Sequence, residues 1–217
     1  MNLIKNFRKP YLAIFFSISI LSTSLTSCSN ESINEDVPLE NKNDYMSRES
    51  KDISFKVNFL DYQTLKHLAI EVNQIESSDL SDNEKETQIK ETLKPMILNG
   101  KDIHQEILNQ VNLNDPKLDL TQDDITQIKN MDDKELAQLS FVYGTSHARV
   151  DWNTDTVMNC LGAALGIHEI YGLIQNTAQL ATAQGAVRVL KLLARRYIGW
   201  IGVGVAVYSF GNCMEAW

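Results

Sequence analysis

Residues 195–217 of this chain read RRYIGWIGVGVAVYSFGNCMEAW. From Tyr197 to Phe210 there is no charge, and Ser209 is the one conventionally polar side chain. Such a segment crosses a membrane, inserts into one as a toxin does, or fills the core of a folded domain. Length separates these roles. Fourteen uncharged residues rise about 21 Å as a helix, whereas the hydrocarbon core is about 30 Å thick and takes roughly 20 residues to cross. A helix of this length that is apolar on every side is buried between other helices. The expectation is an all-α fold with this segment as a core helix.

The surrounding region, 151–217, is apolar and rich in Gly and Ala, and reads as three helices at about 154–174, 177–195 and 197–213. Glycine in a helix interior costs roughly 0.8–1 kcal/mol, which is offset where it lets two helices approach closely. Gly162 with Gly166, and Gly202 with Ala206, have the spacing of such contacts. The middle helix is amphipathic, with Leu180, Ala183, Val187, Leu190 and Ala194 on one side. Arg188, Lys191, Arg195 and Arg196 put four positive charges into its second half, favourable near a helix C-terminus.

Upstream, residues 51–150 read as an acidic bundle of short helices. Leu65, Leu68, Ala69, Val72 and Ile75 form one stripe, with Asp61 as N-cap. Ser81 and Glu84 have capping-box spacing. Ile89, Leu93, Met96 and Ile97 continue a stripe up to Gly100, a good residue to end a helix, and Pro95 inside it predicts a kink or an earlier stop. Ile103, Ile107, Leu108 and Val111 predict a further helix stopped by Asn114 and Pro116. Thr121 and Asp132 serve as N-caps, each with an acidic residue three positions on, and Gly144 is placed at the end of the second of these helices. Each stripe is too narrow to be stable alone, so these helices pack together, and the short gaps favour an antiparallel bundle. Ile53–Phe59 alternates at period two but has no partner strand, so extended chain or a lead-in to the next helix is expected there.

No catalytic constellation emerges. His67, His104, His147 and His168 are scattered, and His168-Glu169-Ile170-Tyr171-Gly172 lacks the second histidine of a zincin helix. His67 and His104 read as surface or edge residues. Gly144-Thr145-Ser146-His147, with Asp151 nearby, holds triad residue types without a nucleophile-elbow pattern and reads as a polar linker. Gly199-x-x-Gly202-x-Gly204 follows no strand and is not a phosphate loop. Asp123-Asp124 and Asp132-Asp133 fall at helix starts, where capping and the helix dipole account for them. No metal site and no cofactor are expected.

The first residues address location. Lys5, Arg8 and Lys9 form a positive n-region, and Tyr11–Leu25 is an uncharged apolar and Ser/Thr run followed at once by polar residues. That is the pattern of a secretory signal peptide. It ends in Leu25-Thr26-Ser27-Cys28, which resembles the lipobox of bacterial lipoproteins. The resemblance implies cleavage after residue 27 and lipid attachment at Cys28. Each buried methylene of an acyl chain contributes about 0.8 kcal/mol, so more than one chain gives a stable membrane anchor. Residues 28–50 then read as a disordered polar tether, and Glu31, Glu35 and Asp36 resemble the surface-export signal of Bacteroidetes lipoproteins. With Cys28 acylated in an exported chain, Cys160 and Cys213 are left as an even pair, and a disulfide between them is the implied reading. A simple hairpin of three helices puts these two cysteines at opposite ends. The bridge therefore requires the first helix to break near Gly162 or Gly166, or the helices to cross steeply.

Charge supports the same placement. The first 28 residues carry +3, residues 29–150 carry 13 Lys/Arg against 24 Asp/Glu, and residues 151–217 carry four of each. No basic stripe runs through the acidic part, which argues against nucleic acid as a partner. The expected function is a non-enzymatic, lipid-anchored cell-envelope protein of the outer membrane, its acidic flank favouring surface exposure, that binds or supports another envelope component. The alternative is a precursor whose C-terminal helices, superficially similar to bacteriocins in composition, act on membranes.

Overall fold

Apolar residues spaced three and four apart decide where the chain folds back on itself. In α1 (Tyr62–Glu76) Leu65, Leu68, Ala69 and Val72 are buried, and Asp61 caps the helix by accepting the Thr64 N–H at 2.8 Å. The computed structural model describes residues 52–147, 154–167, 177–196 and 198–214. Among them the chain forms nine α-helices, one 3-10 turn and no strand, so the all-α expectation holds. The expectations for residues 1–27 and 28–50 lie outside the described residues.

The helix starts follow the caps. α2 (Asp82–Thr92) opens with the Ser81 N–H donating to the Glu84 carboxylate at 2.9 Å. α3 (Lys94–Gln110) begins after a break at Leu93, with Pro95 in its first turn, where a missing N–H loses no helical bond. The stripe Ile89, Leu93, Met96 and Ile97 therefore spans two helices, all four side chains buried. After α3 comes a 3-10 turn, Pro116–Leu118, closed by Asp119. α4 (Gln122–Lys129) starts with a reciprocal box between Thr121 and Asp124. α5 (Asp133–His147) starts with another, in which Asp132 and Glu135 each accept the other's backbone N–H.

The helix ends differ from expectation. Gly100 does not end a helix and lies inside α3, where a Cβ would collide with the Leu136 carbonyl of α5. Gly144 likewise lies inside α5, facing the Leu60 carbonyl. Both glycines serve close approach of backbones. The helix expected from Ile103 to Val111 is the second half of α3.

The C-terminal helices are α6 (Thr154–Leu165), α7 (Thr177–Leu180), α8 (Ala183–Ala194) and α9 (Trp200–Cys213). The expected helix 154–174 stops at Leu165, because Gly166 takes the left-handed region at φ 64°. The Gly166 N–H donates to Ala163 and the Ile167 N–H to Gly162, a Schellman end that only glycine adopts readily. The expected helix 177–195 is interrupted at Ala181–Thr182, and Thr182 caps α8 by accepting the Gly185 N–H.

The segment 53–59 is extended chain, as its lack of a partner strand implies. Side chains and the α7–α8 break take the partner's place. Asp52 bridges to Thr182, and the Ile53 N–H donates to Ala181. The Gln110 amide accepts the Ser54 N–H and donates to the Ser54 carbonyl, both at 2.9 Å. Asn99 donates to the Asn58 carbonyl at 2.6 Å.

α5 is the centre of the molecule. Leu136 to Ser146 are buried without interruption, eleven residues in a row. Five of these are polar or hydroxylic and each finds a partner: Gln138 donates to Lys134, Ser140 to Asn99, Tyr143 to Leu180, Thr145 to Phe141 and Ser146 to Tyr143. α9, the segment expected to be buried all round, covers this centre on one side and leaves Val205 44% exposed. Phe210 meets Phe141 edge-on at 5.3 Å. A Cβ on Gly204 would press within 2.8 Å of Val72, so this glycine, and not the Gly202–Ala206 pair, sets the approach of α9 to α1 and α2. Regions 51–150 and 151–217 thus share one core.

Candidate functional site

Of the residues singled out by sequence, Cys28 lies outside the described residues. Cys160 and Cys213 are joined in a disulfide, their Cα atoms 5.5 Å apart. α6 ends early, at Gly166, and its Cys160 meets Cys213 at the end of α9. Cys160 is buried and Cys213 is at the surface.

The hydroxyl and imidazole of Ser146 and His147 stand in the last turn of α5, not in a linker. The Ser146 hydroxyl donates to the Tyr143 carbonyl at 2.9 Å, and His147 Nδ1 bonds the same oxygen at 2.9 Å. Both groups act toward their own helix, and Ser146 is buried beyond the reach of a substrate. The His147 ring stacks on Phe59 at 4.0 Å, and Phe59 stacks on Tyr143 at 5.7 Å, so this corner clamps the extended segment to α5. Asp151, His168 and Glu169 lie outside the described residues.

The remaining histidines are structural. His67 is exposed beside Glu71 at 3.4 Å. His104 sits at an edge, its Nε2–H donating to the Ile128 carbonyl at 2.8 Å, and burial pushes its pKa down. Among the described residues no group of His, Cys, Asp and Glu is placed to hold a metal ion. Nor is any described helix long and apolar enough to cross a membrane.

A groove of about 570 Å³ runs between the turn at 117–120 and the outer side of α8. Two of its lining cations are anchored by Asp124. This carboxylate caps α4 through Thr121 and is 2% exposed, yet it also meets Lys191 Nζ at 3.0 Å and the Arg195 guanidinium. Burial alone would raise its pKa. The Thr121 N–H and hydroxyl, Lys191 and Arg195 together outweigh burial and hold the carboxyl well below the usual carboxylate range. The charges also suit the helix ends, an anion at the start of α4 and cations at the end of α8.

Lys191 reaches further, to the Asp119 carbonyl at 3.5 Å. Asp119 closes the 3-10 turn at φ 49°, in the left-handed region that Asp enters more readily than most residues. One buried carboxylate therefore fixes two cations, and one of those steadies the opposite rim. Lys117 on the turn and Arg188 on α8 line the same groove and are exposed. Among the described residues neither side chain has an ion-pair partner. Leu118, Leu120, Val187 and Leu192 supply apolar wall between these charges. Family models, curated proteins and solved structures give no match to this chain.

Sequence reasoning placed Asp124 and the α8 cations correctly as helix-end charges but did not join them. Asp124 and Arg195 are 71 residues apart. Capping and dipole effects satisfy each alone, so neither carries a local sign of the other. The one available signal was distribution: all four cations of residues 151–217 lie within nine positions, 188–196.

Proposed function

We propose that this chain is a non-enzymatic, lipid-anchored protein of the cell envelope whose helical body is a binding module. The anchor is Cys28, supported by the positive n-region, the apolar run and the lipobox-like Leu25-Thr26-Ser27-Cys28. The observation that carries the binding role is the groove beside α8, where Lys117 and Arg188 stand uncommitted next to Lys191 and Arg195, which are paired with Asp124. A chain with excess acid has little reason to gather cations unless they meet an anion, whether its own or a partner's. Asp124 accounts for two of them and leaves the others for a partner.

Placement in the outer membrane, with the body at the surface, follows from the anchor and from the acidic Glu31, Glu35 and Asp36 beside it. The shared core supports this reading over release of a membrane-active C-terminal peptide. α9 buries Phe210 against Phe141 and packs Gly204 against Val72 and Ile89, so residues 151–217 would have to leave the interior of the fold to act alone.

Metabolic labelling with an alkynyl palmitate analogue tests the anchor. The wild-type chain is expected to take up label and to sediment with outer membranes, and Cys28→Ala to lose both. Label retained by Cys28→Ala rejects the lipoprotein reading.

A further inference from the structure

We infer that the groove between the 117–120 turn and α8 binds a phosphate monoester carried on an apolar body. Charge decides the class of ligand. Lys117, Arg188, Lys191 and Arg195 line the groove together with Asp119, and Asp124 pairs with Lys191 and Arg195, which leaves two positive charges in excess. A dianion restores neutrality and a neutral or cationic ligand does not. Lys117 and Arg188 stand on opposite walls, one a point charge and the other a planar fork, and both head groups suit phosphate oxygens.

The rest of the ligand is set by the walls. Leu118, Leu120, Val187 and Leu192 favour an apolar body below or beside the anion, and about 570 Å³ is within the range of small-molecule pockets. The site is also preorganised. Lys191 and Arg195 are held by the buried Asp124, and the rim is held by Lys191 at Asp119, so the ordering left to binding falls on Lys117 and Arg188. A soluble phosphate ester and a phospholipid with a monoester head present the same chemistry to this site.

The proposal rests on the binding role proposed above and not on the anchor. Calorimetric titration of the full chain in non-ionic detergent with phenyl phosphate tests it. One site is expected, weakened at least ten-fold in the Lys117→Gln/Arg188→Gln double variant and weakened again as pH falls below about 6, where a phosphomonoester dianion takes up one proton and becomes a monoanion. Neither substituted side chain has an ion-pair partner among the described residues, so the double variant is expected to keep the wild-type melting temperature. Phenol is expected not to bind. Dihexanoyl phosphatidic acid binding at least ten-fold tighter than phenyl phosphate assigns the ligand to a lipid, and equal or weaker binding assigns it to a soluble ester.

No heat with millimolar phenyl phosphate overturns the proposal. So does equal affinity in a folded double variant, or binding of succinate in place of phenyl phosphate. Palmitate labelling of Cys28 that persists alongside such a failure leaves the anchor standing and removes only the ligand.

Discussion

Asp124 shows how much one side chain carries in this fold. It closes the α4 cap and pairs with both Lys191 and Arg195 from the same position. Breaking a buried ion pair costs about 3–5 kcal/mol, but both cations here can turn toward solvent. Asp124→Ala is therefore expected to lower unfolding free energy by about 2–3 kcal/mol, cap included. A urea midpoint within error of wild type would refute this. The sign with pH follows from the depressed carboxyl. Its stabilisation is complete above the unfolded value, about 3.9, and is lost as pH falls through the lower folded value. Below pH 4 the wild-type midpoint should fall more steeply than that of Asp124→Asn. His104 acts earlier. Burial lowers its pKa from an ordinary 6.5, so stability begins to fall once pH drops below that value. His104→Gln, which keeps a donor toward Ile128, should flatten the profile between pH 7 and 5, and an unaltered slope would locate the titration elsewhere.

At the scale of helices, starts were legible in the sequence and ends were not. Asp61, Thr121 and Asp132 accept N–H groups three residues on, so their signal is wholly local. Gly100 and Gly144 look like helix ends because a glycine that stops one helix is indistinguishable in sequence from one that admits another. Only the Leu136 carbonyl, 36 positions away, shows what Gly100 is for. Gly100→Ala must move backbone against backbone, and overpacking of this kind costs about 1–3 kcal/mol or more. An unchanged melting temperature would mean that α3 and α5 can separate freely. Gly166 is the opposite case, an end that the cysteine spacing named as one of the ways to form the bridge. Its positive φ makes Gly166→Ala cost about 1–2 kcal/mol. The central position of α5 was illegible for another reason. Gln138, Ser140, Thr145 and Ser146 lower its apolar count, yet their hydrogen bonds to the helix backbone and to Asn99 let them be buried. α9 has the higher apolar count and the shallower position, which shows that hydropathy ranks solubility of a segment and not its depth. The groove was least legible of all, since it joins a turn at 117–120 to a helix that starts more than sixty residues later.

At the scale of the whole molecule, the acidic and apolar regions should unfold together. α9 packs on α1 and α2, α8 on α3, α4 and α5, and a single cluster of buried side chains runs from Ile53 to Phe210. The disulfide lies within this unit and links Cys160 to Cys213 across 53 positions. In the chain-entropy model a loop of that length contributes about 4 kcal/mol by restricting the unfolded chain. That contribution acts on the entire fold if the core is shared, and only on residues 160–213 if it is not. The two cases separate in one experiment. Tryptophan fluorescence reports Trp152, Trp200 and Trp217, all in the C-terminal region, and amide exchange at Leu68, Ile97 and Ile107 reports α1 and α3. With the bridge intact, both probes should follow one urea transition. In Cys160→Ala/Cys213→Ala both should shift to lower urea by the same amount, corresponding to about 4 kcal/mol. If the fluorescence transition moves while exchange in α1 and α3 keeps its wild-type protection, the two regions are energetically separate and the shared core is not cooperative. If the two move together, the disulfide stabilises helices far from it in sequence, and the groove between the 117–120 turn and α8 inherits that stability because one of its walls comes from each region.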